Sequence, residues 1–187
     1  MAHHQNVQQK VQNEIDLNIG DEREISYAIR LKLPYVESVL QEVLRLATTS
    51  PAPNRQTVRD FELGHYKVRA GTILTMNLYG IFRDPRVWTD PTHFNPDANF
   101  PLDGSKRNAV EHFLPFGIGK RVCLGETLAR QELFLFFVGL MHAFTVEADP
   151  SAPLPPGDIG TPGISRGPLP FKVQFIPRNT LLVWATG

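Results

Sequence analysis

Cysteine is nearly missing from this chain of 187 residues: there is one, Cys123. An intramolecular disulfide is excluded, so packing and hydrogen bonding must hold the fold. A lone thiol fits a reducing compartment. A charge excess is also missing, with 19 Lys plus Arg against 19 Asp plus Glu. The basic surplus expected of a nucleic-acid-binding protein is therefore not there. No apolar run is long enough to span a bilayer. The most apolar one, LFLFFVGLM at residues 133–141, reads as a buried core helix. The amino terminus, MAHHQNVQQK, is polar where a secretory signal is apolar. No internal repeat or low-complexity segment is visible.

What is present describes a folded chain with many ordered loops. Apolar residues make up 42%, enough for a sizeable core. Sixteen prolines and 14 glycines place turns throughout. Val7, Val11 and Ile15 recur every four residues and predict a helix over residues 5–16, ended by Gly20. A second helix is predicted over residues 35–47 from Val36, Val39, Leu40, Val43, Leu44 and Ala47. Pro34 stands at its start and Pro51 and Pro53 lie beyond its end. Residues 61–76 carry Tyr, Val, Thr and Ile around Gly64 and Gly71 and read as a small β-hairpin. A short helix is predicted over 78–83, an extended proline-rich meander over 84–108, and a long helix over 124–144. A terminal strand alternates Phe171, Val173 and Phe175 with Lys172 and Gln174. The expected class is mainly α with small β-hairpins (α+β), in one domain over residues 1–187.

The chemistry concentrates at the cysteine. Residues 116–125 read FGIGKRVCLG. A thiolate that ligates a metal needs deprotonation, hydrogen bonds and open space. Cys123 is expected immediately before a helix, where unpaired N–H groups favour an anion. Gly117, Gly119 and Gly125 allow tight turns and close backbone approach. Arg121 can pair with an anionic group, and Phe116 can pack on a flat ring and exclude water. An isolated cysteine is most often an inert core residue. The five fixed positions of Phe-x-x-Gly-x-Arg-x-Cys-x-Gly, however, would occur by chance about once in ten thousand such chains or less, and this favours a site.

FGIGKRVCLG resembles the haem-binding loop of the cytochrome P450 superfamily. ETLARQELFLF continues the likeness, with Ala129 and Glu132 at matching positions. The resemblance implies heme b (iron protoporphyrin IX) with Cys123 as axial iron ligand. It also implies a cofactor-binding set of Phe116, Gly117, Arg121, Gly125, Ala129 and Arg55. In that family, thiolate donation favours cleavage of a bound O–O bond.

Glu42 and Arg45 lie three apart and share a helix face, which alone reads as a surface ion pair. LPYVESVLQEVLR, however, resembles the family segment whose Glu-x-x-Arg pair forms a buried structural network. The family completes that network from Phe-x-Pro-x-Arg-Phe. Here FNPDANF has no Arg, leaving Asn99 or Asp97 to bond instead. PAPNRQTV resembles the stretch that contacts a haem propionate. Asn54 aligns with the contacting residue, Arg55 is the better anion partner, and Ala52 and Pro53 are weak substrate-contact candidates.

The likeness covers nearly the whole chain and is nearest to the animal microsomal family-2 type, known for oxidising xenobiotics, fatty acids and steroids. It implies the carboxy-terminal, proximal haem-side part of the P450 fold. The membrane anchor and an oxygen-activating distal helix are expected upstream. It further implies a monooxygenase that inserts one atom of O2 into a small lipophilic substrate. Electrons would come from NADPH through NADPH-cytochrome P450 reductase at the endoplasmic reticulum membrane, with Lys120 and Arg130 as bases that could meet an acidic partner. A truncated, non-catalytic fragment is the alternative. A thiol hydrolase would need His112 or His142 as base, and no spacing recommends either.

Overall fold

The computed structural model describes residues 1–19, 25–102, 111–157, 159–161 and 163–178. Three helices carry the core. Helix α1 is Gln5–Ile19 and α2 is Pro34–Ala47. Short helices α3 (Leu78–Ile81) and α4 (Pro96–Asn99) follow, and α5 is Glu126–Ala143. Val7, Val11, Ile15 and Ile19 form the buried stripe of α1, the pattern that predicts it. They pack against Leu33, Val36, Val39 and Leu40 around α2, and against Phe134, Val138 and Met141 of α5. A second cluster, Phe82, Trp88 and Phe100, sits under the meander. The Trp88 indole N–H donates to the Ile81 carbonyl at 2.9 Å, which satisfies its one donor.

Four antiparallel two-stranded sheets complete the described residues. β1 (Asn54–Gln56) pairs with β4 (Ile73–Thr75), and the hairpin β2 (Phe61–Leu63)–β3 (Tyr66–Val68) lies between them in sequence. β5 (Phe144–Ala148) follows α5 and pairs with β8 (Val173–Pro177), and β6 (Gly160–Thr161) pairs with β7 (Gly167–Pro168). The architecture is mainly helical with small strand pairs, as the composition of segments predicts.

Several local expectations change. Helix α1 runs three residues beyond Asp16; the breaker Gly20 lies outside the described residues, as does the meander from 103 to 108. A 3-10 helix at Tyr27–Lys32 was not expected. The meander is not wholly extended: Asn95 caps α4 by accepting the Ala98 N–H, with Pro96 at its first turn. The apolar run of α5 is not buried all round. Phe134, Val138 and Met141 are buried, whereas Phe136 is 70% exposed and Leu135 and Leu140 are also exposed. The terminal alternation does not bury one strand face either. Phe171 lies outside β8 and is exposed, Phe175 is exposed, and only Val173 is half-buried.

Candidate functional site

Two constellations lie on this scaffold. The first is the cysteine loop. It closes on itself: the Cys123 N–H donates to the Phe116 carbonyl at 2.9 Å, and the Val122 N–H to Gly119 at 3.1 Å across a 3-10 turn, Gly119–Arg121. Gly117 and Gly119 have φ of 80° and 75°, a left-handed backbone that side chains resist. Helix α5 starts at Glu126, so Cys123 stands two residues before the N-cap Gly125 rather than immediately before the helix. Its carbonyl still accepts the Glu126 N–H at 3.4 Å.

Cys123 is exposed. A Cβ added at Gly125 would lie 3.9 Å from its sulfur, and one at Gly117 or Gly119 would meet nothing within 4 Å. The thiol is thus accessible on a loop whose glycine positions border open space, room that a flat macrocycle would need. The donor set suits haem as well. It offers one soft thiol for iron and guanidinium groups for carboxylates.

Arg55, on β1, reaches this loop. Its Nη2 donates to the Arg121 carbonyl at 3.3 Å, so two arginines distant in sequence meet beside the cysteine. Asn54 is occupied locally, its side chain accepting the Thr75 hydroxyl at 2.8 Å. Phe116 is half-buried, with the Arg130 guanidinium 4.9 Å from its ring centroid. Arg130 also pairs with Glu126 at 2.9 Å, whereas Lys120 and Arg121 are exposed. Ala129 is half-buried in the first turn of α5 and Glu132 is exposed. Ala52 is exposed and Pro53 half-buried in the loop entering β1. His142 lies in the last turn of α5, about 24 Å along the helix axis from its start, too far to act as a base for Cys123.

The second constellation is centred on Glu42 and Arg45, both wholly buried. Arg45 uses all five guanidinium N–H donors. Nε and Nη2 bond the Glu42 carboxylate, each at 2.7 Å. Nη1 bonds the carbonyls of Phe82 (2.6 Å) and Pro91 (2.7 Å), and Nη2 also bonds that of His93 (3.2 Å). Glu42 Oε1 additionally accepts the Asn95 N–H at 2.9 Å and the Asn99 side-chain N–H at 3.0 Å. Asn99, itself buried, accepts the Thr89 N–H at 2.9 Å. Asp97 points elsewhere and pairs with Lys10 at 2.9 Å. A charge pair with every donor satisfied ties residues 82–99 to α2 and is no surface bridge. Sequence reasoning missed Asn95, although Asn-Pro is a recognisable helix start.

The family description Cytochrome P450 matches residues 1–175. Steroid 17-alpha-hydroxylase/17,20 lyase of Squalus acanthias is 40% identical over 178 residues, covering 94% of this chain and 35% of that protein. Cytochrome P450 2U1 of Bos taurus is 40% identical over 180 residues, covering 95% of this chain and 32% of its own. A zebra fish cytochrome P450 solved with progesterone superimposes with a TM-score of 0.85 at 35% identity, over 94% of this chain and 40% of that one. The chain thus spans about a third of the length of the curated relatives it matches.

Proposed function

Because the chain belongs to the cytochrome P450 family, we propose that it is the proximal, carboxy-terminal part of a haem-thiolate monooxygenase, with Cys123 as the axial ligand of heme b. Haem is the family's cofactor. The observation that carries the ligand assignment is the exposed thiol on a loop whose neighbouring positions 117, 119 and 125 are glycine and leave its surroundings open. When bound, haem supplies the iron at which dioxygen is reduced and one oxygen atom is passed to a lipophilic substrate such as a steroid, fatty acid or xenobiotic.

The chain's own residues hold and orient. Cys123 donates its sulfur. Arg121 and Arg55, joined through the Arg121 carbonyl, pair with the propionates. Phe116, held against Arg130, covers the ring edge and excludes water. Gly117 and Gly125 keep the approach clear, and Ala129 forms the first helical turn behind them. The buried Glu42–Arg45–Asn99 network fixes the meander that flanks the loop. Lys120 remains exposed for an acidic electron-donating partner, the class of NADPH-cytochrome P450 reductase. Arg130 is less suited to that role, since Glu126 neutralises it. The setting is the endoplasmic reticulum membrane, as the microsomal type implies.

Activity is tested by supplying the haem-loaded protein with NADPH, that reductase, O2 and progesterone as probe. NADPH-dependent appearance of a hydroxylated product supports the reading. Haem binding with no oxidation of progesterone, lauric acid or a xenobiotic probe favours the second reading, a non-catalytic haem-binding fragment. That reading is motivated by the exposed apolar face of α5.

A further inference from the structure

Four of the seven residues in PSAPLPP, Pro150–Pro156, are proline, and the stretch lies between β5 and β6. Local chemistry restricts its shape. Proline holds its own φ at about −65° and biases the residue before it to extended backbone. Every position from Ala152 to Pro156 is a proline or precedes one, so the chain there favours the polyproline II helix. That helix makes no internal hydrogen bonds, and residues 153–156 belong to neither α-helix nor strand. Turns close both ends. Asp149 Oδ1 accepts the Ser151 N–H at 2.8 Å and the Ser151 hydroxyl at 2.7 Å, and the Asp149 carbonyl accepts the Ala152 N–H at 3.1 Å. At the far end the Ile159 N–H donates to the Pro156 carbonyl at 3.3 Å.

Burial along the stretch follows the same period. A polyproline II helix turns once every three residues, so Pro150, Pro153 and Pro156 fall along one edge, and all three are exposed. Ala152, Leu154 and Pro155, on the other edges, are half-buried, while Ser151 in the entering turn is exposed. The His3 Nε2–H donates to the Pro155 carbonyl at 2.9 Å, which fastens the stretch to the segment before α1 and leaves the proline edge facing solvent. A connection that needed only stiffness would not require prolines in an outward register of three, since the half-buried Pro155 stiffens it equally. The flanking charge has one sign. No Lys or Arg stands between Arg130 and Arg166, whereas Glu147 and Asp149 precede the stretch. The bonds from Ser151 hold the Asp149 carboxyl below its usual range, so it stays ionised.

We propose that Pro150, Pro153 and Pro156 form a docking ridge for a protein domain of the WW class, one whose aromatic-lined groove has a basic rim. Aromatic rings of such a groove pack on proline rings set at this spacing. A ridge already held extended loses little conformational freedom on docking. A basic rim complements Glu147 and Asp149, whereas an acidic rim finds no cation beside the ridge and is repelled. The ridge shares no residue with the haem site proposed above and does not depend on it.

The test titrates the full 187-residue chain into an isotope-labelled WW domain with a basic-rimmed groove, with shifts of the groove's amide resonances as readout. An SH3 domain with an acidic-rimmed groove is the comparison. The WW domain should bind, a proline decamer should displace the chain from it, and the SH3 domain should bind at least about tenfold more weakly. Pro153→Ala with Pro156→Ala should weaken WW binding at least about tenfold, as the loss of a central anchor does. Pro155→Ala loosens the same backbone without touching the ridge and should change the affinity by less than about threefold. Circular dichroism of each variant should match that of the unsubstituted chain, because the ridge prolines are exposed. Absence of WW binding, binding that the decamer does not displace, or an equal loss from Pro155→Ala overturns the ridge. Equal or tighter binding to the SH3 domain overturns the choice of partner.

Discussion

Asn99 replaces a charged donor with a neutral one in the buried network. Glu42 and Arg45 cancel each other, and Asn99 adds a bond from its amide nitrogen while its oxygen receives the Thr89 N–H. Asn99→Ala removes both and should cost about 1–3 kcal/mol in a urea unfolding titration. Glu42→Ala strands a wholly buried guanidinium and should cost about 3–5 kcal/mol. The exposed Lys10–Asp97 pair is the internal control: its removal should change stability by no more than about 1 kcal/mol. The i,i+3 spacing of Glu42 and Arg45 was legible in the sequence, and the absence of an arginine in FNPDANF left Asn99 or Asp97 as the substitute, of which Asn99 joins the network and Asp97 pairs with Lys10. The carbonyls of Phe82, Pro91 and His93 were not legible, because a backbone acceptor leaves no mark on residue identity. Gly117 and Gly119 of the cysteine loop were legible for the opposite reason: a left-handed backbone selects the residue type.

At the scale of elements, the helices are tied together by side chains that act as backbone partners. Glu14 of α1 accepts the N–H groups of Tyr35 and Val36, each at 2.9 Å. It caps α2 from another helix, since Leu33 at the N-cap offers no side-chain bond. Gln8 exchanges two bonds with Val146, at 2.8 and 3.1 Å, as a neighbouring strand would. Beside the α2 cap, burial first and then the Asp97 carboxylate push the Tyr35 phenol up to about 12, with Glu14 adding to the effect. Lys10 faces the same ring, 5.4 Å from its centroid. A raised pKa means that, between the two values, the folded chain holds a proton the unfolded chain has lost. Stability should therefore fall as pH rises from about 10 to 12. Tyr35→Phe should flatten that slope in alkaline unfolding curves, and an unchanged slope would refute the assignment.

Helix α5 shows why its surroundings were less legible than its existence. An apolar run with little periodicity announces a helix but not which face is covered. Phe134, wholly buried, should cost about 3–5 kcal/mol when cut to Ala. Phe136→Ser on the open face should stay within about 0.5 kcal/mol. Stability measurements on the two variants separate the faces directly.

At the scale of the whole molecule, apolar surface is exposed in the cysteine loop and along α5. Leu124 is fully exposed, Leu128 is 60% exposed, and Ile118 and Phe136 are each 70% exposed. Exposed apolar surface on this scale usually marks a contact site or leads to association. The 187-residue chain alone should bind a hydrophobic dye and sediment with a concentration-dependent mass, and Leu128→Lys with Phe136→Lys should reduce both. A monomer with no dye binding would show that this surface is smaller in solution than in the fold described.

The proposed haem site depends most on Cys123 as an iron ligand. The most direct measurement is the absorption spectrum of the haem-loaded protein after reduction and exposure to carbon monoxide, with Cys123→Ala alongside. The unsubstituted protein should show the red-shifted Soret band of thiolate ligation, and the variant should lose it. A variant that keeps the band, or an unsubstituted protein that binds haem without it, would contradict the assignment.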